Sequence, residues 1–459
     1  MVNPIIISGE QTNHGILVRL NNNAYEIRYS EEIWSKVSSD LRETLVDNLT
    51  VATTMHLAMV MPETTEIRYK THRPVLEPYF NQNFINDIPS CADVDGLDIS
   101  DETRRFLQVG YSYDSHDIRP LPKDPVADPR KAIVGMSFGK DSLLTYAVAE
   151  EVGLNPEMVY VVEESLRYEE KHKRNLAGQF FLEFGKELHI LTHDTGKLRN
   201  YDHLGLPKSE YGWGLQNTEY AMDFLPFAHA LGGRLVLFGN EQSAGTTYLD
   251  KTGRWRVYPC YDQTHEWTVQ LDQMTKALTA GSVGVGSLIE PLMDMMIQRM
   301  LVRRYPHYAK YQMSCFTETE AGKDYHWCHE CRVCAKMYLL CCGGGVDPQA
   351  VGFRHNMLEK KHKGLFTLFG GISELTYANT GLGRDEQLFA FYLATKNGTT
   401  GGLVEEFMNT TLYQEARDRF EELVNTFLHV YTPISVPQDV LPDVLSIYNE
   451  EVTEFTNSL

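Results

Sequence analysis

The pattern of hydrophobic and polar positions divides the chain near residue 130. Before that point, residues 15–20 and 24–29 alternate like two short strands joined by the turn-rich residues 21–23. Asp40, with Glu43 three residues later, is typical of a capped helix start, and this helix is expected to run to about Met61. The pattern predicts an N-terminal α+β domain over residues 1–125.

Four prolines separate this region from the next. Pro120, Pro122, Pro125 and Pro129 oppose regular structure, so a domain boundary is expected between residues 119 and 130.

From residue 131, short apolar runs alternate with segments of helical periodicity. Strands are predicted at 132–135, 158–162, 188–192 and 234–238, and helices at 141–152, 168–185 and 216–231. This order is typical of an α/β fold with a doubly wound parallel sheet, in which ligands bind beyond the carboxyl ends of the strands. We expect this domain to span 130–312, followed by a cysteine-rich segment at 313–345 and a mainly helical region at 346–459.

Charge and composition exclude some classes of protein. The chain has 459 residues and a net charge of −20, which argues against a nucleic-acid-binding surface. The basic stretch 354–363 is interpreted as a solvated helix face. The start of the chain has no basic region typical of a signal peptide, and residues 288–302 carry too many charges to cross a bilayer. We therefore expect a cytoplasmic protein without membrane partners.

One turn carries chemistry suited to phosphate. It follows the apolar run 132–135 and reads Ser137-Phe138-Gly139-Lys140-Asp141-Ser142. A tight turn that opens a helix presents backbone N–H groups to one point, and a carboxylate there can hold magnesium. The order of residues does not fit a P-loop or a dinucleotide-binding glycine motif.

The turn resembles the PP-loop of the N-type ATP pyrophosphatases, SGGxDS, at five of six positions, with Phe138 in place of the first glycine. The resemblance implies a HUP-like PP-loop domain that binds ATP and Mg²⁺ and cleaves ATP to AMP and pyrophosphate, leaving AMP on a substrate oxygen.

Four cysteines, Cys315, Cys328, Cys331 and Cys334, fall within twenty residues. Their spacing suits a tetrahedral structural zinc site. An iron–sulfur cluster is the main alternative, although the usual Cys-Pro ligand is absent, and unligated thiols are a third. A disulfide framework is not expected in a cytoplasmic chain of this size.

Two PP-loop families combine such a loop with a cysteine set. The 7-cyano-7-deazaguanine synthases do so, but they are about half this length. The layout is more similar to the UDP-N-acetylmuramoyl-L-alanyl-L-glutamate epimerases, on the strand end Gly239-Asn240-Glu241 and on residues 327–335. That resemblance implies adenylation of the terminal L-Glu carboxylate, removal of its α-hydrogen by a base, and its return from the other face to give D-Glu.

The resemblance also implies roles for individual residues. The N–H groups of Phe138, Gly139 and Lys140, with the Ser137 and Ser142 hydroxyls, would hold the pyrophosphate half of ATP. Lys140 would offset charge on the leaving group.

Further roles fall on residues around the loop. Asp141 would hold magnesium, and the backbone near Val162 and Glu163 would pair with adenine. Gly239 and Asn240 would contribute to the nucleotide site. Glu241 would contact magnesium or substrate, its alternative role being a helix N-terminal carboxylate. His265 is the histidine chosen as a candidate for proton transfer.

Several alternatives stay open at this point. The protein could act on a deazaguanine carboxylate or modify tRNA, or it could be a zinc-stabilised nucleotide-binding scaffold without catalysis. The expected partners are ATP and a small carboxylate substrate, with a homodimer left open.

Overall fold

The architecture is α/β and is dominated by one large sheet. A computed structural model describes residues 4–61, 64–123, 130–163, 167–371 and 376–459. Within these residues ten strands form a single sheet in the order β12-β9-β6-β7-β8-β3-β2-β1-β4-β5, and β10 and β11 form a separate two-stranded sheet. Most neighbours in the large sheet are parallel; the pairs β8–β3, β3–β2 and β2–β1 are antiparallel.

The strands are β1 Ile5–Gln11, β2 Gly15–Leu20, β3 Asn23–Arg28, β4 Glu66–His72, β5 Gly110–Ser115, β6 Lys131–Gly135, β7 Asn155–Val162, β8 Leu188–His193, β9 Leu235–Leu237, β10 Tyr248–Leu249, β11 Arg256–Val257 and β12 Gly284–Gly286. The α-helices are α1 Glu31–Trp34, α2 Ser39–Ala52, α3 Leu57–Val60, α4 Glu77–Asp95, α5 Ile99–Gln108, α6 Lys140–Glu151, α7 Arg167–Phe184, α8 Gln216–Asp223, α9 Leu225–Leu231, α10 His265–Leu278, α11 Asp294–Arg303, α12 Pro306–Ala309, α13 Arg332–Gly343, α14 Gly381–Lys396, α15 Gly402–Met408, α16 Thr411–Asp418, α17 Phe420–Phe427 and α18 Leu441–Asn457.

The parallel half of the sheet is buried on both faces, which explains its continuous apolar runs. In β6, Ala132 and Val134 pack into one hydrophobic core and Ile133 into the other. Helices α6, α7 and α11 contribute to the first core, and α8, α9 and α10 to the second. The four strands predicted between 132 and 238 are confirmed as β6 to β9, with bounds that differ by up to three residues.

The strand order reverses beside β6. The chain passes from β6 through α6 to its parallel neighbour β7, whereas β9 pairs with β6 on the opposite side. Such a reversal opens a crevice at the carboxyl ends of the two strands that flank it, and this crevice is the usual ligand site of open α/β sheets. The loops after β6 and β9 therefore lie where a ligand is expected.

The N-terminal residues extend this sheet. Strand β3 pairs antiparallel with β8 through Ile27 with His193 and Arg28 with Thr192, so strands from both sides of the predicted boundary share one sheet. The proline-rich boundary lies partly outside the described residues, since Pro125 and Pro129 are not among them. The four-part domain division stays a prediction.

Some element boundaries differ from prediction. The helix expected at 40–61 begins at Ser39, with Ser38 rather than Asp40 as its cap, and α2 ends at Ala52. Thr53 and Thr54 follow, and their hydroxyls donate to the Leu49 and Thr50 carbonyls one turn back. Such side-chain hydrogen bonds compete with the backbone hydrogen bonds of a continuing helix. The helix expected at 216–231 is divided into α8 and α9 at Phe224, two residues before Pro226.

Candidate functional site

The turn between β6 and α6 is held closed by its two serines. The Ser137 N–H donates to Ser142 Oγ at 3.2 Å, and the Gly139 N–H donates to Ser137 Oγ at 3.3 Å. Gly139 caps α6, so the N–H groups of Lys140 and Asp141 in the first turn have no acceptor within the helix. A helix start of this kind suits a phosphate or another anion.

Phe138 has a backbone conformation that favours glycine. Its φ is +56°, in the left-handed region, which costs a residue other than glycine about 1–3 kcal/mol. The ring is fully buried and packs edge-on against Phe180, with the ring centroids 6.0 Å apart. Burial of an aromatic ring contributes a similar amount, so the buried ring offsets the cost of this conformation and anchors the loop.

The end of β9 contacts the start of α6 directly. A Cβ added to Gly239 would lie 2.8 Å from Asp141 Cβ and 3.3 Å from the Ser142 nitrogen. Only glycine allows this approach. The two sequence motifs, the turn after β6 and Gly239-Asn240-Glu241, therefore meet at the strand-order reversal.

Alternating charges extend from this point across four helices. Lys140 contacts Asp141 and, at 2.5 Å, Asp294 at the start of α11. Lys336 on α13 also contacts Asp294, and its ammonium lies 3.3 Å from Glu386 on α14. We call Asp141, Lys140, Asp294, Lys336 and Glu386 the charge chain.

The charge chain shifts the pKa values of its members in opposite directions. Burial alone would raise the pKa of Asp294, but Lys140 and Lys336 together hold it well below its usual range. For Glu386 the effect of burial exceeds the attraction of Lys336, and with the nearby charge of Asp294 its pKa is raised to about 7. The two carboxylates thus differ in how completely a cation compensates their charge.

Glu241 has the helix-capping role, and its contact with magnesium or substrate stays a prediction. It caps the short 3-10 helix Gln242–Gly245 by accepting the Ser243 N–H at 2.6 Å, and it also lines the cavity described below. Burial, together with the nearby charge of Asp294, raises the pKa of Glu241 to about 8.

A cavity of about 540 Å³ lies in front of the turn, within the range of about 300–1,000 Å³ that small-molecule sites occupy. One wall carries Lys140, Asp141, Gly239 and Glu241, and the C-terminal region supplies Lys336, Tyr377 and Glu386. We call the remaining side the N-terminal wall, formed by α4 with residues 210–216 and 259–263; its polar residues include Asp87, Glu210, Cys260 and Asp262. Among the described lining residues, the lysines and arginines are Lys140 and Lys336, both outside the N-terminal wall.

The four predicted metal ligands converge. The sulfurs of Cys315, Cys328, Cys331 and Cys334 all lie within 4.8 Å of one another. The Cys315–Cys331 and Cys328–Cys334 sulfurs are 3.8 and 3.7 Å apart, close to the separation of about 3.8 Å that tetrahedral Zn–S bonds of about 2.3 Å require. These cysteines can hold a metal ion such as zinc.

The cysteine cluster also holds part of the cavity wall in place. Cys315 stands between Ser314 and Phe316, which line the cavity, and Cys331 caps α13, the helix that carries Lys336. Two residues before Cys315, the Met313 N–H donates to the Phe138 carbonyl at 2.7 Å. The cluster therefore fixes one cavity wall against the turn.

The chain has no match among protein-family models or curated proteins. Within the described part of the chain, no helix has the length and apolar character that a membrane crossing needs. The interpretation of the site accordingly depends on its geometry and on the two motifs.

Asn240 has a structural role. Its amide donates to Thr268 at 3.0 Å and accepts from Asn217 at 3.0 Å, and its carbonyl accepts from Ser287 at 2.6 Å. These bonds tie the end of β9 to α8 and α10. The Asn240 side chain is buried and does not line the cavity, unlike its neighbours Gly239 and Glu241.

Glu163 joins a closed polar cluster rather than the cavity. Its carboxylate accepts from Arg199 at 2.7 Å and from Tyr220 at 2.6 Å. Arg199 also contacts Glu219, and His193 lies 3.1 Å from Asp223. We call Glu163, His193, Arg199, Glu219, Tyr220 and Asp223 the buried network. Val162 is fully engaged in β7, and the adenine contact expected near these two residues stays a prediction.

His265 lies outside the cavity lining. It begins α10, its Nε2 lies 3.1 Å from Glu266, and its ring packs beside Gly245. The structure therefore does not bring this histidine to the charge chain.

Three residues of the site were not predicted from sequence: Asp294, Lys336 and Glu386. Lys336 follows Cys334, the last cysteine of the cluster, by two residues, and Asp294 begins a helix. Each position is only a weak sequence signal for a functional residue. Glu386 lies within α14 without any local motif. Only the packing of α11, α13 and α14 makes them neighbours of the turn.

Proposed function

We propose that the protein uses ATP to adenylate a substrate carboxylate, forming an acyl adenylate and releasing pyrophosphate. The observation that carries this proposal is the contact of Gly239 with Asp141, which brings the turn after β6 and the Gly239-Asn240-Glu241 strand end together at one end of the cavity. That end has unpaired helix N–H groups and a buried ammonium, as a site for phosphates requires.

The residues have distinct tasks in this reaction. The substrate carboxylate attacks the α-phosphorus of ATP, the bond to the β-phosphate oxygen breaks, and pyrophosphate leaves with the electron pair. The first-turn N–H groups of α6 and the Lys140 ammonium stabilise the charge that grows on the leaving group. Asp141 and Asp294 both contact the Lys140 ammonium, so the two carboxylates are close enough together to bind a Mg²⁺ ion. This ion would neutralise phosphate charge.

The specific form that we propose is epimerisation of the terminal L-Glu of a UDP-muramoyl dipeptide to D-Glu, with AMP and pyrophosphate as products. Adenylation removes the negative charge beside the α-carbon and so makes its hydrogen acidic enough for a carboxylate base. The layout of the chain, with its PP-loop, Gly-Asn-Glu strand end and cysteine cluster, supports this form by resemblance.

The test follows the products of ATP in the presence of Mg²⁺. Purified protein is incubated with ATP alone and with UDP-N-acetylmuramoyl-L-alanyl-L-glutamate. We expect AMP and pyrophosphate to form in equal amounts only with the dipeptide. ADP as the product, or no ATP cleavage with any carboxylate, would contradict adenylation.

One observation favours a second candidate substrate. The N-terminal wall carries Asp87, Glu210 and Asp262 beside Trp213, and its described lining residues include no lysine or arginine. A heteroaromatic acid rich in ring N–H groups, such as a deazaguanine carboxylate, suits that wall better than a diphosphate does. The same assay with this acid distinguishes the two substrates.

The metal of the cysteine cluster is proposed to be zinc with a structural role. The cluster is closed by four sulfurs and braces a cavity wall, and structural zinc sites typically have four protein ligands. Elemental analysis should give one zinc per chain, and visible absorption typical of an iron–sulfur cluster would contradict this assignment.

A further inference from the structure

Glu386 differs in its hydrogen bonds from five other acidic residues of the cavity, Asp87, Asp141, Glu241, Asp262 and Asp294. Asp262 accepts the Asn217 N–H at 3.0 Å, and Asp87 accepts the Cys91 S–H at 3.2 Å. Glu241 accepts the Ser243 N–H.

The remaining carboxylates of the charge chain, Asp141 and Asp294, share the Lys140 ammonium. Oε1 of Glu386, in contrast, has no hydrogen-bond partner although the residue is only 2% exposed. A buried carboxylate oxygen without a donor is costly, and such a cost is tolerated where a ligand or a proton completes the site.

The rest of the Glu386 side chain is held in place. Its other oxygen lies 3.3 Å from the Lys336 ammonium, and Lys336 is itself fixed by Asp294. The residue projects from the first half of α14, and the following residues 388–394 of this helix are buried. Glu386 therefore lines the cavity with a carboxylate that Lys336 orients, and its Oε1 is a buried acceptor without a hydrogen-bond partner.

Tyr377 and Cys260, which also line the cavity, do not suit proton removal. Tyr377 also has an unpartnered oxygen there, but burial raises its pKa well above the usual value, so it stays protonated. Burial likewise raises the pKa of the Cys260 thiol to about 12. No histidine is among the described lining residues.

We infer that Glu386 is the catalytic base that removes the α-hydrogen of the adenylated substrate, an inference that rests on the proposed function. Oε1 accepts the proton, the C–H bond breaks, and its electron pair moves into the enolate of the acyl adenylate. Glu386 becomes the neutral acid. A solvent water donates a proton to the opposite face of that carbon, which gives the inverted product, and Glu386 returns its own proton to the hydroxide that remains. A second water then cleaves the mixed anhydride to the free carboxylate and AMP.

Lys336 is a positioning residue in this reaction. It orients the carboxylate of Glu386 through the other oxygen and leaves Oε1 for the substrate. A base whose pKa is about 7 also matches the working pH, because it is substantially ionised at neutrality and still basic enough to accept a proton.

The experiment separates proton removal from adenylation. Wild type, Glu386→Gln and Glu386→Asp are incubated with Mg·ATP and UDP-N-acetylmuramoyl-L-alanyl-L-glutamate in D₂O. AMP reports adenylation followed by hydrolysis, and deuterium at the glutamate α-carbon, read by mass spectrometry, reports proton removal. Glu421→Gln, an exposed glutamate on α17, is the matched control.

For Glu386→Gln we expect AMP within about threefold of wild type and deuterium incorporation lowered at least about 100-fold. Glu386→Asp keeps a carboxylate and should recover part of the exchange. Thermal unfolding of both variants shows whether any loss arises from misfolding, and exchange that survives in a folded Gln variant overturns the assignment.

The outcomes also separate this inference from the proposed function. Wild type that forms no AMP removes the adenylation proposal and the base with it. Wild type that forms AMP without deuterium leaves adenylation standing and overturns the base. Equal loss of AMP and deuterium in a folded Glu386→Gln protein assigns Glu386 to the adenylation site instead, and this too overturns the inference.

Discussion

The charge chain and the buried network are two sets of buried charges at the same edge of one sheet. Each contains carboxylates, one or two cations and unmade hydrogen bonds: Oε1 of Glu386 in the first, Oε1 of Glu219 in the second. Burial raises the pKa of both carboxyl groups, to about 7 for Glu386 and about 8 for Glu219. A raised pKa alone therefore does not identify a functional site.

The two sets differ in access. All five members of the charge chain line the cavity, whereas no member of the buried network does. The network instead connects β7, β8 and α8 through Arg199, which also donates to the Gly212 carbonyl at 3.1 Å. We infer that the same chemistry serves a ligand in the charge chain and the fold in the buried network.

The largest expected effect is on stability and comes from a substitution in the buried network. Arg199→Leu leaves Glu163 and Glu219 buried without their cation, which should lower the free energy of unfolding by about 3–5 kcal/mol. AMP formation per folded molecule should stay within a few-fold of wild type. Urea unfolding and the AMP assay measure the two quantities.

Arg19→Leu is the control for this prediction, since Arg19 forms an exposed pair with Glu10 and should change stability by less than about 1 kcal/mol. A comparable loss for both variants would show that the network does not stabilise the fold.

Asp141→Ala should have the opposite effect, a loss of activity with little change in stability. It removes a carboxylate from the cavity end that we assign to phosphates, so AMP formation should fall about 100- to 1,000-fold, or about 2.7–4 kcal/mol. The urea midpoint should change little, because Asp294 still pairs with Lys140. Asp202→Ala, at an exposed position, is the control. Wild-type turnover in Asp141→Ala would contradict the assignment of Asp141 to the phosphate site.

Sequence alone predicted the part of this site that is local in the chain. The strands β6 to β9 are short apolar runs, and the turn after β6 and the cysteine cluster are contiguous motifs, so each is readable from a few residues. The N-terminal α+β region was predicted with β2 and β3 but without β1, β4 and β5.

Long-range packing explains what was not predicted. Lys336 and Glu386 are fifty residues apart and become neighbours only because α13 packs on α14. Asn240 and Glu163 are polar residues at strand ends, where ligand contacts are common, and their roles at a nucleotide stay predictions. Sequence cannot show whether such a side chain turns to the cavity or to the neighbouring helix, and here both turn to α8.

A smaller effect, on stability, tests the uncompensated charge of the N-terminal wall. Burial raises the pKa of Asp87 from 3.8 to about 7, so the folded protein binds this proton more tightly than the unfolded chain. Wild-type stability should therefore fall as the pH rises from about 4 to about 7. Asp87→Asn lacks this term, and its stability relative to wild type should be greater at pH 8 than at pH 5 by on the order of 2 kcal/mol.

Urea unfolding at the two pH values measures this difference. Glu163→Gln provides the contrast from the buried network, because Arg199 and the other donors lower the pKa of Glu163 despite its burial. That variant should be destabilised at neutral pH, and the deficit should shrink only as the pH falls below about 4.5. The same pH trend in both variants would remove the electrostatic distinction between these two carboxylates.

The smallest expected effect is at His265. The residue was a candidate for proton transfer, but it pairs with Glu266 at the start of α10 and lies outside the cavity lining, as the buried network does. His265→Ala should therefore leave both AMP formation and deuterium incorporation within about threefold of wild type, since general acid–base groups contribute about 100-fold or more when they act. A loss of deuterium incorporation beyond about 100-fold, with AMP formation retained, would contradict this expectation. It would mean that a position in the cavity lining does not distinguish functional from structural charges in this protein. A result within threefold leaves Glu386 as the proton-transfer candidate that the geometry supports.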